Sequence, residues 1–286
     1  MNDANVITPP VDPTVADIRR RVGGWRQAGE RIALVPTMGA LHNGHLALIR
    51  AAKAEADRTV VSIFLNPTQF SPGEDLATYP TTWEADLAAL ARLRVDAVFA
   101  PNVAEMYPDG FATAITVAGP GLGLETDFRP QFLTGVATVV SKLLIACVPD
   151  IAIFGEKDYQ QLLVIRRMAA DLGLPIAIAG HPTVREADGL ALSSRNAYLS
   201  PEERKCAPAL YRALSDAGAA IRAGTPLDQA LGGARADLRA AGFAVDYVEL
   251  RKAETLAPVA DLTSAPLRLL AAARLGKTRL IDNIAI

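Results

Sequence analysis

The stretch of sequence that decides the fold is residues 31–54, RIALVPTMGALHNGHLALIRAAKA. Its apolar run at residues 32–35 predicts a buried strand, and the apolar residues that recur every three to four positions after Gly44 predict a helix. Between the two, Gly39 and Gly44 allow backbone conformations and close approaches that a β-carbon would forbid. A strand, a glycine turn and a helix in this order indicate a nucleotide site.

Two of the three histidines of the chain, His42 and His45, flank Gly44. The start of a helix offers free N–H groups and a partial positive charge, so it suits an anion such as a phosphate. Imidazoles at this place add hydrogen-bond donors that are neutral or cationic near pH 7. The same spacing occurs in unrelated chains and also suits a metal, although no third ligand of the right kind lies nearby in the sequence. The strand-to-helix context favours phosphate chemistry.

The overall composition argues against two classes of partner. The 286 residues carry 29 basic and 31 acidic side chains, and the net charge of −2 gives no reason to expect nucleic acid or a membrane surface. The most apolar stretch, residues 136–154, is interrupted by Lys142, Pro149 and Asp150, so it predicts no membrane span.

The cysteines and the N-terminus predict the compartment. Cys147 and Cys206 belong to no paired motif, so we expect two buried, reduced thiols. Residues 1–13 predict a loose tail without a signal segment. Together these features predict a cytoplasmic protein.

A second apolar run, residues 59–65, predicts a strand buried on both faces, as in a parallel sheet. With the first strand and helix it forms a βαβ unit with a right-handed crossover. Asn66 and Gln69 follow this strand directly, and ligands of open α/β sheets bind beyond the carboxyl ends of the strands. Both amides are therefore candidates for substrate contact, with an ordinary polar turn as an equal alternative.

A second strand-to-helix junction follows a strand predicted at residues 151–154. It reads GEKDYQQ at residues 155–161, where Lys157 suits a phosphate and Gln161 offers a bidentate amide. A solvated helix start is the alternative, but the position at a second strand end favours function.

The segment Ser193-Ser194-Arg195 lies in a loop ahead of a helix predicted to begin near Pro201. Two hydroxyls and a forked guanidinium can hold a triphosphate. A surface turn is the alternative interpretation of this segment.

The remaining pattern predicts the domain organisation. Helices are predicted at residues 12–27, 83–93, 136–146, 202–222 and 227–241, and further strands at residues 97–100, 174–178, 245–250, 267–272 and 278–281. This order predicts an α/β protein with a Rossmann-like parallel-sheet nucleotide-binding domain at residues 1–183. A smaller α+β C-terminal domain at residues 184–286 is expected to contribute the Ser-Ser-Arg loop.

Five stretches resemble, in order, the blocks of the pantoate–β-alanine ligase (pantothenate synthetase) family, which belongs to the nucleotidyltransferases with a His-x-Gly-His motif. They are VPTMGALHNGH at residues 35–45, SIFLNPTQF at 62–70, FGEKDYQQ at 154–161, READGLALSSRN at 185–196 and RLIDN at 279–283. The resemblance covers nearly the full length of the chain.

The resemblance implies a two-step reaction. ATP and pantoate form pantoyl adenylate and pyrophosphate with Mg²⁺, and the amine of β-alanine then displaces AMP to give pantothenate. The implied catalytic residues are His42, His45, Lys157 and Arg195, with His45 as proton donor. A homodimer is implied as well.

The resemblance also implies the substrate contacts. Gln69, Gln161 and Asn66 would contact pantoate and β-alanine, and Asp86 would help to coordinate magnesium. The residues implied to bind ATP are Met38, Gly39, His42, Gly44, His45, Gly155, Glu156, Lys157, Asp158, Val184, Leu192, Ser193, Ser194 and Arg195.

One stretch departs from the family pattern. Where the family commonly reads LEGxxRPGHFxGV, residues 124–136 read LETDFRPQFLTGV. Phe132 replaces an imidazole, and Thr126 and Gln131 replace glycines that would permit unusual backbone conformations. If this loop lines the pantoate pocket, we expect reduced activity or a shifted substrate preference.

Two other functions remain open from the sequence. One is a related nucleotidyltransferase that acts on a phosphorylated substrate. The other is an ATP-binding protein without catalysis, against which the intact histidines, lysine and arginine of the motifs argue.

Overall fold

The structure, a computed structural model, describes residues 7–262 and 265–286. The strands of its larger sheet are β1 Val11–Asp12, β2 Ile32–Thr37, β3 Arg58–Ile63, β4 Ala97–Phe99, β5 Ile151–Gly155 and β6 Ala177–His181. They lie in the order β1-β4-β3-β2-β5-β6, and every pair is parallel. This sheet confirms the predicted α/β class.

The central strand β2 is buried on both faces. Ile32 and Leu34 belong to one hydrophobic cluster, whereas Ala33 and Val35 belong to the cluster on the other face. Because successive side chains of a strand point to opposite faces, a continuous apolar run is what such a position requires.

Seven helices of the described residues precede or follow these strands. They are α1 Val15–Gln27, α2 Asn43–Glu55, α3 Trp83–Arg92, α4 Val103–Met106, α5 Glu125–Phe128, α6 Phe132–Cys147 and α7 Tyr159–Asp171. The cluster that contains Leu34 also holds residues of α1, α6 and α7, and the cluster that contains Val35 holds residues of α2 and α3. The sheet therefore has helices on both faces.

The C-terminal part has its own sheet and core. Its elements are α8 Pro201–Cys206, α9 Ala209–Arg222, α10 Leu227–Ala240, β7 Phe243–Lys252, β8 Leu267–Leu275 and β9 Thr278–Ala285. The three strands are antiparallel in the order β7-β8-β9, and Leu214 of α9 and Leu238 of α10 share a core with Leu269 of β8. This arrangement agrees with an α+β C-terminal part, and the division after residue 183 stays a prediction.

The structure corrects several predicted boundaries. The strand predicted at residues 174–178 lies three residues later, because Leu174 closes the end of α7 by donating its N–H to the carbonyl of Ala169. The helix predicted at residues 12–27 begins at Val15, and the residues before it form the edge strand β1. Helix α6 begins four residues before the predicted start. The helix predicted at residues 202–222 is two helices, α8 and α9, with Pro208 at the start of the second.

Three expectations from composition have separate outcomes. Cys147 is buried as predicted, but Cys206 is exposed, so its predicted burial is wrong. Within the described ranges, we find no helix with the length and apolar character to cross a membrane. Residues 1–6 of the predicted loose tail lie outside the described residues, and Val11–Asp12 form β1.

Candidate active site

The main cleft of the protein lies at the carboxyl ends of β2 and β5. The chain continues from β2 to β3 and β4 on one side of the sheet and then returns to β5 and β6 on the other. Ligands of open α/β sheets bind where the strand order reverses in this way. Thr37 at the end of β2 and Gly155 at the end of β5 line the cleft, so the topology places the two predicted strand-to-helix junctions side by side.

The cleft brings together most of the predicted site residues. Those predicted to bind ATP that line it are Met38, His42, Gly44, His45, Gly155, Lys157, Asp158, Val184, Leu192, Ser193, Ser194 and Arg195. Gln69 and Gln161 line the same cleft. The structure does not bring Gly39, Glu156, Asn66 or Asp86 to the cleft wall.

Both histidines are fixed by hydrogen bonds at the start of α2. His42 is the N-cap residue, and its Nδ1 accepts a hydrogen bond from the backbone N–H of Gly44 at 3.1 Å. The Nδ1 of His45 accepts one from the backbone N–H of His42 at 3.4 Å. A neutral imidazole that accepts at Nδ1 carries its proton on Nε2. Each histidine therefore retains an Nε2–H donor that it can offer to an anion.

Gly44 is required by the position of the His42 ring. A β-carbon at Gly44 would lie 2.8 Å from Cε1 and 2.9 Å from Nδ1 of His42. Atoms of this kind do not approach so closely, so any other residue would push the ring away from the helix start. The glycine of the His-x-Gly-His motif therefore permits the capping hydrogen bond.

The electrostatic environment keeps both imidazoles neutral. Burial, with a contribution from the nearby Lys157 charge, lowers the pKa of His42 to about 4. Burial and then the neighbouring His42 lower the pKa of His45 to about 3. The ring centroids are 4.1 Å apart, so protonation of one ring opposes protonation of the other. In this structure the histidines are uncharged donors at pH 7, and the positive charge of the cleft comes from lysine and arginine.

Lys157 is held in place by the C-terminal sheet. It lies in the 3₁₀ turn Glu156–Asp158 that links β5 to α7. The Nδ2 of Asn283 in β9 donates to the carbonyls of both Glu156 and Lys157, at 2.9 and 2.8 Å. Lys157 Nζ lies 3.8 Å from the Asp158 carboxylate. The backbone of the turn that carries Lys157 is thus positioned by a strand of the C-terminal sheet.

The Ser-Ser-Arg segment lines the same cleft, beside the turn that leads from β2 to the histidines. Ser193 Oγ accepts from the backbone N–H of Arg195 at 3.3 Å, and Ser194 Oγ donates to the carbonyl of Ala40 at 3.1 Å. Arg195 makes a bidentate ion pair with Asp75, with both distances at 2.9 Å. These contacts fix a guanidinium and two hydroxyls next to the turn that leads to the histidines.

Gln69 contacts the cleft, and Asn66 supports it from behind. Asn66 is 1% exposed, so the prediction that it touches substrate is not supported by its position. Its Nδ2 donates to Gln69 Oε1 at 3.0 Å, and its Oδ1 accepts from the Tyr107 hydroxyl at 2.7 Å. Both groups of the Asn66 amide are therefore used inside the protein, where they orient the Gln69 side chain.

Two other predicted ATP contacts have structural roles. Gly39 has φ +83°, a left-handed conformation that lets the chain turn after β2. Glu156 points away from the cleft wall and pairs with Arg268 at 3.0 Å. The backbone of each residue shapes the site, although neither lines the cleft.

Asp86 does not have the position of a magnesium ligand. Its side chain is 3% exposed and accepts hydrogen bonds from the backbone N–H groups of Ala40 and Leu41 and from the Thr82 hydroxyl, each at 2.9 Å. In residues 7–262 and 265–286 there is also no group of three or more His, Cys, Asp or Glu side chains arranged to hold a metal. Protein donors thus already occupy its carboxylate, and the magnesium role implied by the resemblance stays a prediction.

Sequence reasoning missed several residues of the cleft wall. Arg129 and Tyr79 line it, and so does Thr183, whose buried hydroxyl has no hydrogen-bond partner within the described part of the chain. Arg129 is nearly buried and makes a bidentate pair with Glu74 at 2.6 and 2.7 Å. The one sequence signal for it was its match to the family pattern.

The altered loop at residues 124–136 keeps its fold. Thr126 lies within α5, and Gln131 has φ −97°, so neither position needs the conformational freedom of glycine. Leu133 is buried in the core. Phe132 lies in the cleft wall with its ring 3.8 Å from the Arg129 guanidinium carbon. Position 132 of the cleft wall thus carries a phenyl ring where the resemblance implies an imidazole.

The site is built on a buried parallel strand that leads through a glycine turn to a helix capped by histidine. A second strand end, which carries a lysine, lies beside it. Together these features define an ATP-binding α/β enzyme. The chain matches the pantoate–β-alanine ligase family over residues 11–285. It belongs to this family and is a ligase, which confirms the prediction from the sequence.

Individual relatives agree with this assignment. The chain is 57% identical over 280 residues to the pantothenate synthetase of Rhodopseudomonas palustris strain BisA53, a match that covers 98% of this chain and 99% of that protein. The structure is similar to that of pantothenate synthetase from Thermus thermophilus, with a TM-score of 0.90, 49% identity and coverage of 96% of this chain and 98% of that one. It is also similar to pantoate–β-alanine ligase from Francisella tularensis complexed with β-γ ATP and β-alanine, with a TM-score of 0.81, 33% identity and 97% of each chain covered.

Proposed function

We propose that the protein condenses (R)-pantoate with β-alanine to pantothenate through a pantoyl-adenylate intermediate. Pyrophosphate leaves in the first step and AMP in the second. The observation that carries this proposal is the convergence, in one cleft, of two imidazole donors, a lysine and an arginine beside the carboxamides of Gln69 and Gln161. The Francisella tularensis relative was solved as a complex with β-γ ATP and β-alanine, which supports two of the three substrates.

In the first step, an oxygen of the pantoate carboxylate attacks the α-phosphorus of ATP. The bond from this phosphorus to the bridging oxygen breaks, and pyrophosphate leaves with the electron pair. Lys157 and Arg195 supply positive charge to the phosphates, while the Ser193 hydroxyl, which accepts from the Arg195 N–H, still has its own proton to donate to them. Fixed donors aimed at developing charge are a principal means of catalysis, so this step needs no nucleophilic side chain.

His42 and His45 act on the same phosphates through their Nε2–H groups. Because both rings are neutral, they donate hydrogen bonds without adding a full charge. The role of proton donor that the resemblance implies for His45 requires its pKa to rise when the triphosphate binds. A negative charge within a few ångströms raises the pKa of an imidazole in this way.

In the second step, the uncharged amine of β-alanine attacks the carbonyl carbon of pantoyl adenylate. The bond from this carbon to the AMP oxygen breaks, AMP leaves with the electron pair, and the new amide nitrogen loses a proton to solvent. Gln69 and Gln161 orient the pantoyl group during both steps, so the carbonyl carbon stays in reach of the amine.

ATP enters this scheme as its magnesium complex, and the metal is therefore part of the substrate. Mg²⁺ in such sites is held mainly by phosphate oxygens, waters and one or two carboxylates. Asp158 supplies a carboxylate on the cleft wall that fits this arrangement. We also propose a homodimer, on family likeness, and a cytoplasmic location, on the two unpaired cysteines.

The experiment that tests the function is exchange of labelled pyrophosphate into ATP without β-alanine. We expect exchange that requires pantoate and magnesium. His45→Ala should reduce it by about 10²- to 10³-fold, the usual effect of removing one fixed donor to a developing charge. His181→Ala is the matched control, because it removes the third histidine, which does not line the cleft.

The other outcomes separate the alternatives. Exchange that needs a phosphorylated substrate in place of pantoate would indicate a related nucleotidyltransferase. Binding of ATP without exchange would indicate a protein that has lost catalysis, with Phe132 as the first residue to restore to histidine.

A further inference from the structure

Asp86 lies directly beneath the turn that leads from β2 to the two histidines. It belongs to the first turn of α3. One carboxylate oxygen accepts from the N–H of Leu41 and the hydroxyl of Thr82, and the other accepts from the N–H of Ala40. Two successive backbone N–H groups thus converge on one carboxylate, an arrangement that binds anions in many loops.

The backbone that Asp86 contacts has an unusual conformation. Ala40 has φ +50° and follows Gly39 at φ +83°. A residue with a β-carbon adopts this left-handed region rarely, and it persists where surrounding contacts determine it. The carboxylate supplies such contacts on both sides of Ala40. A β-carbon at Gly39 would lie 3.3 Å from Asp86 Oδ2, so glycine allows the close approach.

The same turn also contacts the Ser-Ser-Arg segment. The N–H of Ala40 is bound by Asp86, and its carbonyl accepts from Ser194 Oγ at 3.1 Å. His42, two residues further along the chain, is the N-cap of α2. The position of the histidines relative to Ser194 therefore depends on how the backbone of Ala40 is held.

We propose that Asp86 is a positioning residue, which holds the turn at residues 39–41 so that His42, His45 and Ser194 face the same phosphates, and that it does not bind magnesium. Its oxygens are already occupied by three protein donors. A magnesium ion that keeps several waters needs space that a 3% exposed side chain does not offer. The kinetic consequences of this inference rest on the proposed function, whereas its structural consequences do not.

Asp86→Asn is the variant that tests the proposal. An amide has nearly the same shape, but whichever way it is oriented, one backbone N–H of the turn faces an NH₂ group. We expect kcat to fall by about 10- to 100-fold through misplacement of the histidines, while the magnesium concentration for half-maximal activity stays unchanged. Glu84→Gln is the matched control, since it removes one carboxylate charge from the same helical turn at an exposed position.

The second measurement is ¹⁵N NMR of the imidazoles in the free protein, which is independent of any activity. With three histidines in the chain, each ring can be assigned by single substitution. We expect the signals of His42 and His45 to shift in Asp86→Asn and those of His181 to stay in place. Thr82→Val, which removes one of the three donors, should give a smaller change of the same kind if Asp86→Asn does not fold.

Two results would overturn the proposal. One is a rise of about tenfold or more in the magnesium requirement with unchanged imidazole signals, which would make Asp86 a metal ligand. The other is unchanged imidazole signals together with unchanged kcat, which would leave the turn independent of Asp86. If the unaltered protein shows no pantoate-dependent exchange, the proposed function fails, but the imidazole spectra still decide the role of Asp86.

Discussion

At the scale of single residues, the chemistry of the site depends on which ring nitrogens of the histidines are already hydrogen-bonded within the protein. The Nδ1 atoms of His42 and His45 accept hydrogen bonds from backbone N–H groups, and burial keeps both rings neutral. The sequence could show two histidines at a helix start, but it could not show their tautomer, because the tautomer follows from hydrogen bonds that exist only in the folded chain. A pair of neutral N–H donors beside charged Lys157 differs chemically from a pair of imidazolium ions.

This neutrality predicts how stability depends on pH. The pKa of His42 is lowered from 6.5 to about 4 and that of His45 to about 3, so the unfolded chain binds more protons than the folded one below about pH 6.5. The free energy of unfolding should therefore fall as the pH drops from 6.5 towards 4, and these groups should have no effect above pH 7. His45→Asn keeps an acceptor for the His42 N–H but cannot titrate. Between pH 7 and 4.5 we expect the unaltered protein to lose roughly 2 kcal/mol more than this variant in urea denaturation. Parallel losses in the two proteins would argue against buried neutral histidines.

At the scale of elements, the close approach of α6 to the turn after β3 determines where Gln69 lies. A β-carbon at Gly135 would overlap the carbonyl oxygen of Thr68, and Asn66 Nδ2 donates to the Gly135 carbonyl at 3.3 Å. Gly135→Ala must therefore move the turn Pro67–Gln69 away from the helix. We expect a loss of about 1–3 kcal/mol in stability and a raised KM for pantoate, measured by denaturation and by steady-state kinetics.

Gly24→Ala provides the control for that substitution. It makes the same change inside α1, where no atom lies within 4 Å of the added carbon. There it should leave activity unchanged and raise stability by up to about 1 kcal/mol, since alanine favours helix more than glycine does. If Gly135→Ala behaved like Gly24→Ala, the turn could not depend on this contact.

Comparison of individual helices and strands shows which features the sequence could predict and which it could not. The unit β2–turn–α2 was predictable because its signals are all local: the spacing of the apolar residues, the glycines of the turn and the residues at the helix start. Strand β1 was not, since two residues become a strand only by pairing with β4, at Val11 with Val98. The hydrogen bond between Asp86 and Ala40 was equally unpredictable, because the two residues lie 46 positions apart in the chain. Family likeness identified the residues of the cleft, but long-range contacts decide which ones touch it.

At the scale of the whole molecule, the C-terminal sheet completes a site that the parallel sheet begins. Strand β9 contributes Arg279, which makes a bidentate pair with Glu125 at 2.6 and 2.9 Å, and Asp282, which pairs with Arg185 at 2.6 Å. Glu125 lies at the start of α5, in the same loop as the cleft residue Arg129. One strand of the second sheet thus contacts both the altered loop and the turn that carries Lys157.

Asn283 of β9 provides the sharpest test of this connection. Its Nδ2 donates to the carbonyls of Glu156 and Lys157, while its Oδ1 accepts from Arg268 Nε at 2.6 Å. Asn283→Asp keeps the acceptor for Arg268 but turns a donor to two carbonyls into a repelling oxygen. Loss of these hydrogen bonds should displace Lys157, and we expect the affinity for ATP to fall by about 5- to 100-fold in calorimetric titration.

The control makes the same Asn→Asp substitution at a position where we expect no effect on ATP affinity. Asn102 caps α4 through Oδ1, which accepts from the N–H of Glu105 at 2.8 Å, and aspartate is an equally good cap. Asn102→Asp should therefore leave ATP affinity unchanged. If Asn283→Asp also bound ATP normally and melted at the same temperature, the turn that carries Lys157 would be set by β5 and α7 alone. A loss of affinity restricted to Asn283→Asp would instead show that the nucleotide site spans both sheets, because the altered contact joins a strand of one to the backbone of Lys157 in the other.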